Sequence, residues 1–154
     1  PMTVKHCIDH PGTVLIVPFV DLQTVVLVHQ WRSIIDRRIW EFPAGTRRHN
    51  EAPVDAAIRE CEEETKLSPG TLVKMTEAFI CPGSSAELMT FYKGVDLSPV
   101  EIDHDEDEDI TIHHVPITEL QKGVVNGEKI IDLKTLWAID HIYPVPSPSY
   151  PSHT

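Results

Sequence analysis

Residues 45–67 hold the strongest constraint on how this chain folds, an amphipathic helix with a crowded acidic flank. Pro53 suits the first position of a helix, and the turn-forming Ser68-Pro69-Gly70 predicts its end. Apolar or small side chains recur at helical spacing and predict one buried stripe, made of Val54, Ala57, Ile58, Cys61 and Thr65. Another part of the chain must therefore form a surface that covers this stripe.

The acidic flank of this helix has two interpretations. Glu60, Glu63 and Glu64 lie side by side next to the stripe, because successive helical residues are rotated by about 100°. Like charges four residues apart cost roughly 0.2–0.5 kcal/mol per pair. The carboxylates form either the solvated face of an ordinary surface helix or a set of oxygen ligands for a hard cation such as Mg²⁺ or Mn²⁺.

Length and composition indicate one folded domain. The chain has 154 residues, of which 41% are hydrophobic, and a chain of this size can bury a substantial core. We expect a lead-in over residues 1–12, a single domain over residues 13–143 and a disordered tail over residues 144–154, which are rich in proline and serine.

Charge and patterning argue against several classes of protein. The net charge of -11 disfavours nucleic-acid binding through a basic patch. No run of 18 apolar residues and no signal-peptide core is found, so we expect no membrane partner and a cytoplasmic location. The three cysteines form no CxxC pair, which fits a reducing compartment; they are Cys7, Cys61 and Cys81.

The remaining pattern predicts strands and two further helices. We expect strands over residues 13–20, 24–31, 40–45, 71–80, 88–97 and 111–117. The first two would form a hairpin, with Pro18 at a sheet edge or bulge. Residues 118–123 predict a short helix capped by Thr118, and residues 129–143 predict a last helix that buries Ile131, Leu133, Leu136 and Ile139. Together these elements predict helices packed around a β-sheet, in the mixed α/β class.

The spacing around the acidic helix closely resembles the box motif of the Nudix hydrolases. Gly45 is followed after five residues by Glu51, and after seven more by Arg59-Glu60-Cys61-Glu62-Glu63-Glu64. Lys66 departs from the family pattern, which has glycine at this position. A non-glycine residue in the left-handed conformation costs about 1 kcal/mol, so we expect an altered geometry at the helix end with the chemistry retained.

Residues 101–110 form a second acidic segment, EIDHDEDEDI. Most of its side chains fit a solvated loop. A calcium-binding EF-hand is disfavoured, because Glu108 and His114 stand where that loop needs glycine and glutamate. A third interpretation is a loop that supplies a general base, since a carboxylate flanked by like charges has a raised proton affinity.

Further segments within residues 13–142 look like the ADP-ribose pyrophosphatase branch of the Nudix hydrolases, namely WEFPAG, CPGSSAE, DEDEDI and NGEKIIDLKTL. The resemblance implies the Nudix fold, an α/β/α sandwich with a mixed central β-sheet, and Mg²⁺ as cofactor with Mn²⁺ as the alternative. The metal ligands that it implies are the backbone carbonyl of Ala44 and the side chains of Glu60, Glu63 and Glu64. The catalytic residues that it implies are Glu106, as the base, together with Glu64 and Glu63.

The resemblance also implies a substrate, a nucleoside diphosphate linked to a sugar. The best match is ADP-ribose, cleaved to AMP and ribose 5-phosphate. Arg32 would hold the diphosphate and Glu87 the terminal ribose, with Glu41 and Glu108 as further substrate-binding residues, while Gly45, Glu51 and Arg59 would be structural. The alternatives are another nucleotide sugar, a dinucleoside polyphosphate, or a catalytically silent module that senses a nucleotide. A homodimer is the assembly that the resemblance suggests.

Trp31 and Trp40 have two interpretations as well. Either ring offers a surface on which a nucleotide base could stack, but a tryptophan beside a strand more often packs against its own protein. The adjacent His113 and His114 point to opposite faces of a strand, so we interpret them as structural or solvent-facing residues.

Overall fold

The structure, a computed structural model, describes residues 9–102 and 109–142. Its strands are β1 (Thr13–Pro18), β2 (Thr24–Arg32), β3 (Arg37–Glu41), β4 (Ala44–Thr46), β5 (Leu67–Phe79), β6 (Leu88–Pro99) and β7 (Ile110–Pro116). Its α-helices are α1 (Pro53–Thr65), α2 (Ile117–Val125) and α3 (Leu133–Ile142), and one 3₁₀ turn spans Ser33–Ile35. No helix in the described ranges has the length and hydropathy needed to cross a membrane.

The strands form two sheets. A four-stranded mixed sheet has the order β4-β1-β6-β5, in which β1 runs parallel to β6 and the other pairs are antiparallel. A three-stranded antiparallel sheet has the order β3-β2-β7. The sequence therefore predicted a mixed sheet correctly, although the strands divide between two sheets.

Strand β1 lies at the centre of the layers, because alternate side chains point to opposite faces of a strand. Val14 and Ile16 pack with Ala57 and Cys61 of α1 on one face. The other face of β1 joins a second apolar cluster that includes residues of α2 and α3; its members include Leu15, Val17, Phe91, Leu120 and Ile139. This arrangement confirms the predicted α/β/α sandwich.

The predicted hairpin between the first two strands is wrong. β1 and β2 belong to different sheets. The residues that follow β1 meet β2 through an isolated bridge between Phe19 and Val25 and through the N–H of Val20, which donates to the carbonyl of Thr24 at 2.9 Å. Pro18 lies at the end of an interior strand rather than at a sheet edge. The predicted strand over residues 40–45 is likewise two strands, β3 and β4, one in each sheet.

The helix α1 begins at Pro53 as predicted but ends earlier than Ser68-Pro69-Gly70. Lys66 follows the last helical residue with φ 61° and ψ 24°, and its N–H donates to the carbonyl of Glu62 at 3.0 Å. The left-handed helix end that glycine would provide is therefore kept, and the expected alteration of its geometry is wrong. Strand β5 starts directly at Leu67, so Ser68-Pro69-Gly70 lies within a strand.

Three further details differ from the sequence prediction. Helix α2 starts at Ile117, with Pro116 in the cap position, so Thr118 is not its cap. Helix α3 starts at Leu133 instead of residue 129, and it buries Thr135, Ala138 and Ile139. Leu133, at 77% exposure, and Leu136, at 39%, are not core residues, and Val54 is exposed at the start of α1.

Candidate active site

Arg59 of α1 connects the helix to the loop that precedes it. Its Nε and Nη2 donate to the two carboxylate oxygens of Glu51 at 2.8 and 2.9 Å, and Nη2 also donates to the carbonyl of Thr46 at 3.2 Å. Its Nη1 donates to Glu60 at 2.6 Å and to Glu63 at 2.9 Å. One guanidinium therefore holds Glu60 and Glu63 of the acidic flank, and its positive charge offsets the repulsion between these two carboxylates.

The charge of Glu51 is strongly stabilised by this arrangement. Hydrogen bonds from Arg59 are the main cause that lowers the pKa of Glu51 from 4.5 to about 2, and the backbone N–H of Arg48 assists. The carboxylates around Arg59 in turn raise the pKa of the guanidinium above its ordinary value. The predicted structural residues Glu51 and Arg59 therefore meet in a two-hydrogen-bond ion pair.

Gly45 of β4 packs directly against the carboxylate of Glu60. A Cβ at Gly45 would lie 2.1 Å from Cδ of Glu60 and 2.2 Å from each of its carboxylate oxygens. Because real Cβ atoms do not approach other atoms so closely, the Glu60 carboxylate would have to move if residue 45 carried a side chain. The third predicted structural residue thus controls the position of a predicted metal ligand.

The predicted metal ligands are close in sequence but differ in surroundings. Glu60 and Glu64 are both 8% exposed, whereas Glu63 is more exposed and is held by Arg48 and Arg59. Within residues 9–102 and 109–142, no group of three or more His, Cys, Asp or Glu side chains is placed so that it could hold a metal ion. The side chains of Glu60, Glu63 and Glu64 by themselves therefore do not form such a group in this structure.

A cavity of about 660 Å³ opens beside Gly45. Four residues singled out from the sequence line it, namely Arg32, Ala44, Gly45 and Glu87. Glu87 is fixed there by Thr13, whose hydroxyl donates to its carboxylate at 2.9 Å. Much of the remaining wall is apolar and includes Ala78, Phe79, Ile80, Met89, Phe91 and Leu133.

Glu41 lies behind the cavity wall. Its side chain is 2% exposed, and it accepts hydrogen bonds from Nε of Arg32 at 2.8 Å, Nη2 of Arg32 at 3.0 Å, Gln30 at 2.9 Å and Lys134 at 2.6 Å. Burial acts to raise the pKa of Glu41, but the hydrogen bonds from Arg32 and the charge of Lys134 outweigh it and hold that pKa below its ordinary value. Glu41, predicted to bind substrate, therefore contacts two cations that line the cavity and is not itself part of its lining.

Other sequence candidates lie away from this cavity. Trp31 and Trp40 are absent from its lining. Trp40 stacks on His29 at 4.6 Å between ring centroids, and the ammonium of Lys129 lies 3.7 Å from the centroid of its ring, so Trp40 packs against its own protein. Glu106 and Glu108, the predicted base and its neighbour, lie outside the described residues.

The contribution of α3 and the residue before it to this cavity was not predicted from the sequence. Asp132, Leu133, Lys134 and Trp137 all line it. Asp132 accepts a hydrogen bond from the N–H of Thr135 at 2.9 Å, as a helix-capping residue does. A lysine in the first turn of a helix opposes the positive end of the helix dipole and would have been a signal, but the predicted helix began at residue 129 and placed Lys134 beyond its first turn.

The chain is similar in sequence to known proteins. Residues 9–133 match a family model described as the NUDIX domain. The chain is 31% identical over 140 residues to an ADP-ribose pyrophosphatase of Bacillus subtilis (strain 168), a match that covers 90% of this chain and 75% of the relative. It is 32% identical over 130 residues to an ADP-ribose pyrophosphatase of Mycobacterium tuberculosis (strain ATCC 25618 / H37Rv), with 82% of this chain and 63% of that relative covered.

A solved structure has the same fold. The chain superposes on one described as an ADP compounds hydrolase with a TM-score of 0.75 and 21% sequence identity, covering 84% of this chain and 69% of the other. The family relationship and the fold inferred from the sequence are therefore confirmed.

Proposed function

We propose that this chain, which belongs to the NUDIX domain family, hydrolyses the pyrophosphate bond of a nucleoside diphosphate linked to a sugar. Its substrate is ADP-ribose, and its products are AMP and ribose 5-phosphate. The two relatives named as ADP-ribose pyrophosphatases support this choice. The observation that carries the proposal is that one cavity is lined both by Arg32 and by Gly45, the residue against which Glu60 is packed.

The shape and chemistry of the cavity suit such a substrate. A volume of about 660 Å³ lies within the range of small-molecule sites. The guanidinium of Arg32 supplies charge-assisted hydrogen bonding for a diphosphate, and Glu41 fixes its orientation from behind. Glu87 offers a hydrogen-bond acceptor for ribose hydroxyls, and the apolar wall suits the less polar parts of the substrate.

The acidic flank of α1 has the chemistry of a magnesium site. Glu60 and Glu64 place two carboxylates one helical turn apart with little exposure, and burying such charges is costly unless cations compensate them. Oxygen ligands of this type suit Mg²⁺ or Mn²⁺. The ligands would be Glu60, Glu63, Glu64 and the Ala44 carbonyl; when bound, the metal would neutralise the diphosphate and activate the attacking water.

The proton acceptor in this proposal is Glu106. Because it lies within the acidic segment over residues 101–110, its neighbours in the sequence carry like charges that favour proton uptake. Glu108, two residues further along, would assist in binding. The base and the metal ligands then come from separate parts of the chain.

A substrate panel tests the reaction. Purified protein with Mg²⁺ is incubated with ADP-ribose, other nucleotide sugars and dinucleoside polyphosphates, and the products are separated by chromatography. We expect AMP and ribose 5-phosphate from ADP-ribose, with the highest kcat/KM of the panel. Faster cleavage of another compound would contradict the substrate, and no cleavage of any would contradict the enzymatic assignment.

Two substitutions test the residues. Glu64→Gln and Glu106→Gln should each lower kcat by about 100-fold or more while leaving the melting temperature close to that of the original protein. Glu62→Gln makes the same chemical change on the same helix at a residue without an assigned role, and it should keep normal turnover. Near-normal kcat in both test variants would overturn the assigned roles.

A further inference from the structure

The cavity contains a second cation that no role yet explains. Lys134, in the first turn of α3, lines the same cavity as Arg32 and is 17% exposed. Its ammonium donates to Oε1 of Glu41 at 2.6 Å and also pairs with Asp132. An ammonium has three N–H groups, and its two partners in the described part of the chain leave one donor for a group in the cavity.

Contacts between distant parts of the chain bring Lys134 to this place. The N–H of Trp40 donates to the carbonyl of Ile130 at 2.9 Å, and Trp40 forms an isolated parallel bridge with Ile131. The N–H of Phe42 then donates to the hydroxyl of Thr135 at 3.2 Å. The start of α3 is therefore attached to the chain on both sides of Glu41, which fixes Lys134 beside that carboxylate.

A contribution to the stability of the fold does not by itself explain why a lysine stands at position 134. Glu41 already receives two hydrogen bonds from Arg32 and one from Gln30. A cation in the first turn of a helix is unfavourable, because the N-terminus carries the positive end of the helix dipole. Lys134 and Arg32 also bond the same carboxylate oxygen, at 2.6 and 3.0 Å, so two positive charges are held side by side.

The charged residues that line the cavity indicate what Lys134 and Arg32 would bind together. The charged lining residues in the described part of the chain are Arg32, Glu87, Asp132 and Lys134. Removing one cation would leave the lining with a net negative charge in a protein whose net charge is already -11. Both cations are therefore needed to keep the charge of the lining from repelling an anionic ligand, and adjacent cations suit the adjacent charges of a diphosphate.

We infer that Lys134 is a substrate-binding residue that acts with Arg32 as a two-cation clamp on the diphosphate, with Glu41 and Asp132 holding its ammonium in place. This inference rests on the proposed function for its substrate class. It gives α3 a charged contact with the substrate, beside the lining residues Leu133 and Trp137 of the same helix.

The test compares Lys134→Gln with a matched control. Glutamine removes the charge but keeps an N–H donor for Glu41, and Lys122→Gln makes the same change at an exposed position of α2. Two properties are measured for each protein. One is KM and kcat for ADP-ribose with Mg²⁺, and the other is the rise in melting temperature caused by inorganic pyrophosphate without metal.

We expect Lys134→Gln to raise KM by about ten-fold or more, because a hydrogen bond to a charged group contributes about one decade in affinity. It should also lose most of the thermal shift with pyrophosphate, whereas Lys122→Gln should keep both properties. Lys134→Arg, which retains the charge, should recover part of the pyrophosphate shift.

Other results separate the two proposals. Unchanged KM and an unchanged pyrophosphate shift in Lys134→Gln, with only a lower melting temperature, would make Lys134 a structural residue and overturn the inference. A pyrophosphate shift that depends on Lys134 in a protein that does not cleave ADP-ribose would support the clamp and contradict the proposed reaction. No pyrophosphate shift in the original protein would overturn the clamp.

Discussion

Gly45→Ala tests the close packing between β4 and the acidic helix. The new Cβ would lie 2.1 Å from Cδ of Glu60, while carbon atoms in contact are normally about 3.5–4.0 Å apart. The Glu60 carboxylate must therefore move by more than about 1 Å, against its 2.6 Å hydrogen bond with Arg59. Overpacking of this kind costs about 1–3 kcal/mol.

The free-energy cost of Gly45→Ala predicts two changes that can be measured. For a domain of this size, 1 kcal/mol changes the melting temperature by about 2–4 °C, so Gly45→Ala should melt roughly 2–12 °C lower. Because a displacement of about 1 Å in a catalytic group can reduce the rate 100-fold, kcat for ADP-ribose should fall by about that factor. Thermal unfolding and a chromatographic assay of AMP release give the two values.

A double-mutant cycle identifies the cause. In a Glu60→Ala background the carboxylate is gone, so Gly45→Ala should cost much less, with a coupling energy of about 1–3 kcal/mol. Gly83→Ala is the control, because a Cβ there meets nothing within 4 Å and should change stability by less than about 0.5 kcal/mol. An equal cost of Gly45→Ala in both backgrounds would refute the explanation.

Two further predictions concern Glu51 and Lys66. Since Arg59 lowers the pKa of Glu51 from 4.5 to about 2, its ion pair stabilises the folded protein fully above pH 4.5 and is lost as the pH falls through 2. Urea unfolding should therefore show a constant stability difference between the original protein and Glu51→Gln down to pH 4.5 that shrinks below it; a difference that grows at lower pH would contradict this. At Lys66, whose φ is 61°, a glycine variant should be about 1 kcal/mol more stable than an alanine variant. Both variants lose the hydrogen bond from the Lys66 ammonium to the Ile102 carbonyl, so equal melting temperatures would argue against strain at this position.

Lys66 shows where a local rule was incomplete. The sequence indicated that a lysine at a glycine position would alter the helix end, but the backbone still adopts the left-handed conformation. The carbonyl of Lys66 accepts from Val100 at 3.0 Å, and its ammonium donates to Ile102 at 2.5 Å. These contacts are more than 30 residues away along the chain and offset the local strain, which propensity alone does not reveal.

In the candidate site, too, local sequence indicated some contacts and missed others. The spacing of Gly45, Glu51, Arg59 and Glu60 indicated residues that do meet, because they lie on one helix and on the short strand and loop just before it. The pairing of Glu41 with Lys134 could not be found in this way. These residues are 93 positions apart, and the error in the start of the last helix placed Lys134 within that helix rather than in its first turn.

The sequence by itself determined the acidic helix, the alternation of side chains along the strands and the box spacing that identifies the family. These features are local, so periodicity and motif length report them directly. Only the tertiary structure decided that β1 and β2 enter different sheets, that Glu60 rests on Gly45 and that α3 brings Lys134 to Glu41. The physical reason is that alternating side chains specify which face of a strand is buried but not which strand pairs with it. That choice depends on packing among residues far apart in the chain.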